Sequence, residues 1–219
     1  MPFVVAVSGF KDSGKTTLCV ELVERLKERG VDVAFIKHSC ESPLSGASTD
    51  SGRILMRGVP ALLWSDEGVR LERAGDLSLE EIVYRFFPAV DIVLVEGAKS
   101  LPLPRIWVAP GGGVPEAVSG VIARYDRARS ESRPEERLFG SEGVEALASL
   151  LFDRWRRAEP TGVALYGGTR RIPAKAFVAD FLAGGVKGMV RALKGGEDLA
   201  QGLTLFIGRE EAGDGGEGS

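Results

Sequence analysis

The chain has no asparagine, one histidine and only two cysteines, Cys19 and Cys40, in 219 residues. Without asparagine there is no N-K-x-D motif, the element by which familiar GTPases read guanine. Two cysteines give no disulfide framework and fit a reducing compartment. Cys19 falls in a helix-patterned stretch and reads as a small core residue. A lone histidine makes no metal site without carboxylate or thiol partners. No apolar run reaches membrane-spanning length, and no cationic lead precedes the first apolar stretch. Neither a membrane segment nor a secretory signal is expected. An excess of one charge is also lacking. The 28 basic and 31 acidic residues leave a net charge of −3, which argues against nonspecific nucleic-acid binding through overall charge. What is present is an ordinary balance, 44% hydrophobic and 27% charged. It suffices for one sizeable core and a small appendage, and a cytoplasmic location is the simplest reading.

The strongest positive signal is Gly9-Phe10-Lys11-Asp12-Ser13-Gly14-Lys15-Thr16. It matches G-x-x-x-x-G-K-S/T, a phosphate-binding loop, and it stands between an apolar run (Phe3 to Val7) and a helix-patterned stretch from Thr17. Loop amides form a nest for anions, and the positive end of the next helix faces the same place. Gly9 and Gly14 allow close backbone approach. Lys15 is expected to reach the β- and γ-phosphates, and the Thr16 hydroxyl to ligate magnesium. Asp12, Ser13 and Thr17 complete the expected phosphate site. Lys11 reads as either a phosphate contact or a solvated loop cation.

Apolar runs alternate with helical patterns, which predicts βαβ units and a mainly parallel, twisted sheet with flanking helices. After the first helix, with Gly30 as its cap, a strand is expected over Val31 to Ile36. A short helix from Asp50 to Arg57 should end at Gly58. Pro60 to Trp64 and Val69 to Glu72 look strand-like. A helix capped by Ser78 should stop before Pro88. Ile92 to Val95 reads as a buried central strand. Arg105 to Ala109 and Val118 to Ala123 should complete the sheet. Tyr125 to Gly140 reads as an exposed connection, and Val144 to Arg156 as an amphipathic helix with Val144, Leu147, Leu150, Leu151 and Trp155 on one side. Three regions follow: 1–158 as the nucleotide-binding domain, 160–208 as a small α+β extension, and 209–219 as a disordered tail. In the extension, strands are expected at Val163 to Tyr166, Arg171-Ile172 and Leu203 to Ile207. A helix from Ala174 to Leu182 should be followed by a second helical segment. Gly184-Gly185, Gly188 and Lys194-Gly195-Gly196 read as turns, with an anion or cofactor contact as the alternative.

Two further constellations sit at strand ends, where open α/β sheets bind ligands. Lys37-His38 closes the second strand. His38 reads as a polar contact to phosphate or substrate or as a structural residue, with a metal involving Cys40 and Glu41 as a third option. Beyond the loop, Asp50 is a candidate magnesium ligand and Arg53 a candidate anion contact; the alternative is that Thr49 or Asp50 caps the helix. Glu96, at the C-terminal edge of the buried strand, is a candidate for contacting magnesium-bound water. Asp91 marks the opposite edge. Gly97 permits a sharp exit, and Lys99 follows as a phosphate contact, a substrate contact or a solvated cation.

Together the loop Gly9 to Thr17, the Lys37-His38 strand end, the Asp50-to-Gly58 segment and Asp91 to Lys99 resemble the MobB family, through about residue 158. The resemblance implies a P-loop NTPase fold and a homodimer that binds GTP with Mg2+ and hydrolyses it weakly if at all. It implies partnership with a molybdopterin guanylyltransferase or another molybdopterin-handling protein. By resemblance, Asp126 is placed to accept hydrogen bonds from the guanine edge; an exposed linker aspartate is the competing reading. This chain departs from the family at Ser39-Cys40-Glu41-Ser42, where a further histidine and an acidic residue are usual. Its C-terminal unit lies beyond the core family. Lys37 and Val95-Glu96-Gly97-Ala98 also resemble dethiobiotin synthetase, which would imply an ATP-dependent ligase. A nucleotide-regulated scaffold is a third expectation.

Overall fold

In the computed structural model, β1 (Phe3–Gly9) occupies the middle of a six-stranded sheet in the order β2-β5-β1-β6-β7-β8. The partners are β2 (Val33–Lys37), β5 (Ile92–Glu96), β6 (Arg105–Val108), β7 (Val121–Tyr125) and β8 (Leu138–Phe139). Every pairing among them is parallel. The structure describes residues 2–158, 163, 165–167, 170–194, 196, 199 and 203–205. The sequence-based expectations for Pro160-Thr161-Gly162, Gly168, Gly195 and the tail 209–219 fall outside these residues.

A parallel sheet needs cover on both faces, so its strands are apolar throughout. Strand β5 shows the consequence, because Ile92 and Leu94 enter one core and Val93 and Val95 the other. The first core lies beneath α1 (Lys15–Glu28) and α4 (Val144–Arg157). Leu18, Leu22 and Leu26 recur at four-residue spacing on α1 and are fully buried against Leu147 and Leu151. Each such leucine contributes about 1.5–3 kcal/mol relative to an exposed one. The expected stripe on α4 is present: Val144, Leu147 and Leu151 are buried, and Leu150 and Trp155 pack at the margin. The second core is smaller. Val83 of α3 (Leu79–Phe86) covers it together with Ala98 and Leu101 of the loop after β5.

Local chemistry sets the helix ends. The cap of α1 is Arg29, with Gly30 one residue beyond at φ 73°. Gly30 N donates to Lys27 O at 2.9 Å and Val31 N to Leu26 O at 3.1 Å, a Schellman closure that recruits Val31 and delays β2 until Val33. Ser78 Oγ accepts from Glu81 N at 3.2 Å and starts α3.

Several expectations are corrected. Strand β7 begins at Val121 because Gly120 turns at φ 73°. The expected exposed connection from Tyr125 to Gly140 contains β8, and Tyr125, Asp126, Leu138 and Phe139 are buried. The stretches from Pro60 and Val69 become an antiparallel hairpin, β3 (Ala61–Ser65) and β4 (Gly68–Glu72), separate from the main sheet. The extension holds a second hairpin, β9 (Leu165–Gly167) with β10 (Arg170–Ile172). Its helix α5 (Ala176–Arg191) runs unbroken through Gly184, Gly185 and Gly188, so these are not turns. Interior glycines cost about 1 kcal/mol each relative to alanine, and the inward residues Ala179, Leu182, Val186 and Val190 keep the helical period. Leu203, Thr204 and Leu205 are not in a strand, and Phe206 and Ile207 lie outside the described residues. Tyr166 stacks on Tyr84 of α3, ring centroids 3.8 Å apart. Among the described residues no helix is long and apolar enough to cross a membrane.

Candidate functional site

The sheet brings the C-terminal ends of β1, β2 and β5 side by side. Val7 and Lys37 both pair with Glu96 in register. The phosphate-type loop leaves β1 at Gly9 and enters α1 through Gly14, which is left-handed at φ 89°. A Cβ on Gly9 would sit 2.1 Å from Val108 O and 2.8 Å from Ser13 Oγ, so only glycine fits there. No side chain caps α1 and its first turn holds no acidic residue, which leaves the terminal amides and the positive helix end for an anion.

The side chains expected on phosphate and metal converge. Lys15 Nζ donates to Phe10 O at 2.5 Å, within its own loop. Thr16 Oγ1 donates to Glu96 Oε2 at 2.8 Å, although 80 residues separate them in sequence. Glu96 is only 7% exposed. A hydroxyl and a carboxylate at that distance are hard oxygen donors of the kind magnesium takes. In the same loop, Ser13 Oγ is buried with no hydrogen-bond partner among the described residues. The set therefore fits a magnesium-bound phosphate chain. Beneath it, burial pushes the Cys19 thiol up to about 12, with Glu96 adding to the rise and Lys15 opposing it. Cys19 is thus an inert core residue.

The neighbouring strand ends supply the rest. His38 N donates to Glu96 O at 2.9 Å, and Gly97 N to Val7 O at 2.9 Å. Gly97 has φ 94°, and a Cβ there would meet His38 O at 2.8 Å. Lys37 and His38 are exposed. Lys99 holds its Nζ 5.3 Å from the Phe10 ring centroid and 5.8 Å from that of Trp107. Lys11 and Asp12 are exposed on the loop, and Asp12 takes φ 58°.

Asp126 is 3% exposed, not a linker residue. It lines a cleft of about 290 Å³ with Asp12, Ser13, Gly14, Pro110 and Arg127. Its Oδ2 accepts from Gly111 N at 2.7 Å and its Oδ1 from Ala128 N at 3.0 Å. Asp50 and Arg53 stand apart on α2 (Asp50–Leu55), both exposed. No hydrogen bond or ion pair joins either to Thr16 or Glu96 among the described residues. The cap of α2 is Thr49, whose Oγ1 accepts from Gly52 N at 3.1 Å. No cluster of three or more His, Cys, Asp or Glu that could hold a metal occurs among the described residues, so His38, Cys40 and Glu41 form none.

Sequence reasoning missed Phe10 and Trp107, which flank Lys99, and Ser8 and Arg105, whose side chains hydrogen-bond to the backbone of the loop after β5. Arg105 carried a usable signal, a cation opening the apolar strand Arg105-Ile106-Trp107-Val108. The other three are ordinary apolar or small residues in sequence.

Comparison with known proteins bears on the family and the fold. The family model described as Molybdopterin guanine dinucleotide synthesis protein B, MobB, matches residues 4–118. The molybdopterin-guanine dinucleotide biosynthesis adapter protein of Haemophilus influenzae is 33% identical over 108 residues, 47% of this chain and 61% of that protein. A probable adapter protein of the same description from Bacillus subtilis is 31% identical over 114 residues, 49% of this chain and 65% of that one. The chain thus spans under two thirds of the length of these curated relatives. Bacillus subtilis MobB has a similar crystal structure, with TM-score 0.53, 22% identity and coverage of 70% of this chain and 98% of that one. The Bacillus stearothermophilus MobB homologue gives TM-score 0.51 at 22% identity, covering 70% and 98%. With more than half of the chain, residues 4–118, matched by the family model, this chain belongs to the MobB family.

Proposed function

We propose that this protein is a GTP-binding adaptor in molybdopterin-guanine dinucleotide biosynthesis, with weak or no hydrolysis of its own. The observation that carries the reading is the convergence of Lys15, Thr16 and Glu96 at one strand edge in a member of this family. Backbone amides of the Gly9-to-Gly14 loop and the start of α1, with Thr17, cradle the phosphates, and Lys15 leaves Phe10 O to meet them. Thr16 and Glu96 would hold Mg2+, and the ion would neutralise phosphate charge. Lys37, His38 and Arg53 are offered to the anionic partner substrate, and Asp50 to the metal-bound water once α2 approaches. Asp126 faces the base from the adjoining cleft.

Residues 1–158 form the nucleotide-binding unit and 160–208 an added unit. The protein acts in the cytoplasm as a homodimer. The β3–β4 hairpin supports the dimer, because Leu62, Trp64, Val69 and Leu71 lie on one face and are all exposed. An isolated two-stranded hairpin is at best marginally stable without a partner surface. The dimer works with a molybdopterin guanylyltransferase or another molybdopterin-handling protein. A binding panel of GTP, ATP, GMP and molybdopterin tests the reading. Magnesium-dependent preference for GTP with slow turnover supports it. ATP turnover with diaminopelargonate and bicarbonate would replace it with a ligase reading.

A further inference from the structure

The loop after β5 is anchored by a buried cation, Arg105. Arg105 is fully buried, opposite Ala6 in the register of β6 on β1. No carboxylate meets it among the described residues. One guanidinium nitrogen donates to Ser8 Oγ at 3.2 Å and to Lys99 O at 3.0 Å, and the other donates to Leu101 O. Its Nε finds no partner. Burying a charge this way is costly unless neutral acceptors compensate it, and here the acceptors belong to one irregular loop. Ser8 extends the clamp by donating to Gly97 O at 2.5 Å. Gly97 N is tied to Val7 O at 2.9 Å, and Gly97 and Ala98 take φ 94° and 46° in succession. The backbone of Lys99 is therefore held on both sides.

The Lys99 side chain is also guided. Its ammonium rests over Phe10 and Trp107, whose rings meet edge to face at 5.5 Å. Trp107 is pinned in turn, since its Nε1 donates to Gly113 O at 2.7 Å. Two aromatic faces position an exposed ammonium without neutralising it. Lys99 makes no ion pair among the described residues, so its charge stays available. Phe10 is the decisive neighbour. Its carbonyl carries Lys15 Nζ and its ring carries Lys99 Nζ. A phosphate-loop lysine serves the β- and γ-phosphates, and Lys99 brings a second ammonium to the same loop residue.

We propose that Lys99 is a fixed second cation for the terminal phosphate of a nucleoside triphosphate, and that Arg105, acting through the Gly97-to-Leu101 loop, is its positioning residue. The proposal rests on the nucleotide-binding reading above and deepens it, because the site then discriminates tri- from diphosphate. Preorganised cations act strongly since no reorganisation is needed when the charge arrives.

Calorimetric titration of the full chain with GTP and GDP in magnesium tests it. Lys99→Met keeps the apolar stem on the rings and removes the charge. It should lower the GTP-to-GDP affinity ratio about tenfold, the scale of one charge-assisted contact, with GDP binding unchanged. Lys99→Arg should hold the ratio within a few-fold. Arg105→Lys should lower the ratio in the same direction, and should have no further effect on it in a Lys99→Met background. Ser8→Ala loosens the same clamp more gently and gives a smaller fall, which keeps the test open if Arg105→Lys does not fold. A ratio in Lys99→Met within twofold of wild type overturns the proposal while leaving nucleotide binding intact. Equal losses for GTP and GDP in the Arg105 and Ser8 variants reduce Arg105 to a structural role and overturn its part. Failure of the wild type to bind GTP at all removes the underlying reading instead.

Discussion

Replacing Lys15 with alanine should separate binding from folding. Among the described residues its side chain hydrogen-bonds only to Phe10 O, within its own loop, so the variant loses little structure. Surface changes of this kind lie within about 0.5 kcal/mol, which for a chain of this size is a melting shift of about 2 °C at most. The loss on binding is much larger. A charged hydrogen bond contributes about 1.5–3 kcal/mol, and Lys15 is expected to serve two phosphates. A loss of about 3 kcal/mol weakens binding roughly 100-fold. The assay is thermal unfolding with and without GTP and magnesium, at about 100 times the wild-type Kd. The ligand then adds about 2.7 kcal/mol to wild-type stability, raising its melting temperature roughly 5–11 °C. At the same concentration the variant gains only about 0.4 kcal/mol, a rise of roughly 1–2 °C. Equal ligand-induced rises in the two proteins would refute the assignment of Lys15 to the phosphates. A ligand-free variant that melts many degrees lower would refute the claim that the loop is a surface anion site.

Three further outcomes are expected. Gly97→Ala places a Cβ 2.8 Å from the His38 carbonyl at φ 94°, and urea unfolding should show a loss of about 1–3 kcal/mol; an unchanged midpoint contradicts the close packing of β2 and β5 ends. Asp126→Ala removes the charged acceptor of the Gly111 and Ala128 amides, and the same experiment should show a loss of about 1.5–3 kcal/mol, with less than 1 kcal/mol counting against the Asp126 contacts. Cys19 titrates at about 12 when folded against 9.0 for a free thiol, so above pH 9 the unfolded chain releases its proton while the folded chain keeps it. Stability should therefore fall by about 1.4 kcal/mol per pH unit between pH 9 and 12 from this group, and Cys19→Ala should remove that component; an identical pH slope in the variant contradicts it.

The parts of this fold legible in sequence were those with local causes. The phosphate loop needs two glycines at fixed spacing, Ser78 caps its own helix, and β5 is apolar because both its faces are covered. Glu96 was legible as well, since a carboxylate ending a buried strand must emerge at one edge. The remainder depends on long-range partners. The hydrogen bond from Arg105 to Ser8 spans 97 residues, and nothing near Arg105 in sequence shows which carbonyls it will meet. Strand β8 has two residues, too few for a period to register. Asp126 had an exposed linker aspartate as its competing reading because its burial depends on Gly111 and Phe139, on neighbouring segments of chain. In α5 the glycines suggested a break, but the inward apolar residues outweighed them. The Asp50 and Arg53 pattern had two readings, and the cap belongs to Thr49.

The central claim is that the Lys15, Thr16 and Glu96 edge is a guanine-nucleotide site. Calorimetric titration of the full chain with GTP and with ATP, each with magnesium, tests it most directly. The account predicts one GTP per chain, weakened roughly 100-fold by Lys15→Ala and bound at least tenfold tighter than ATP. ATP binding as tight as GTP, or GTP binding of unchanged affinity in Lys15→Ala, would contradict it.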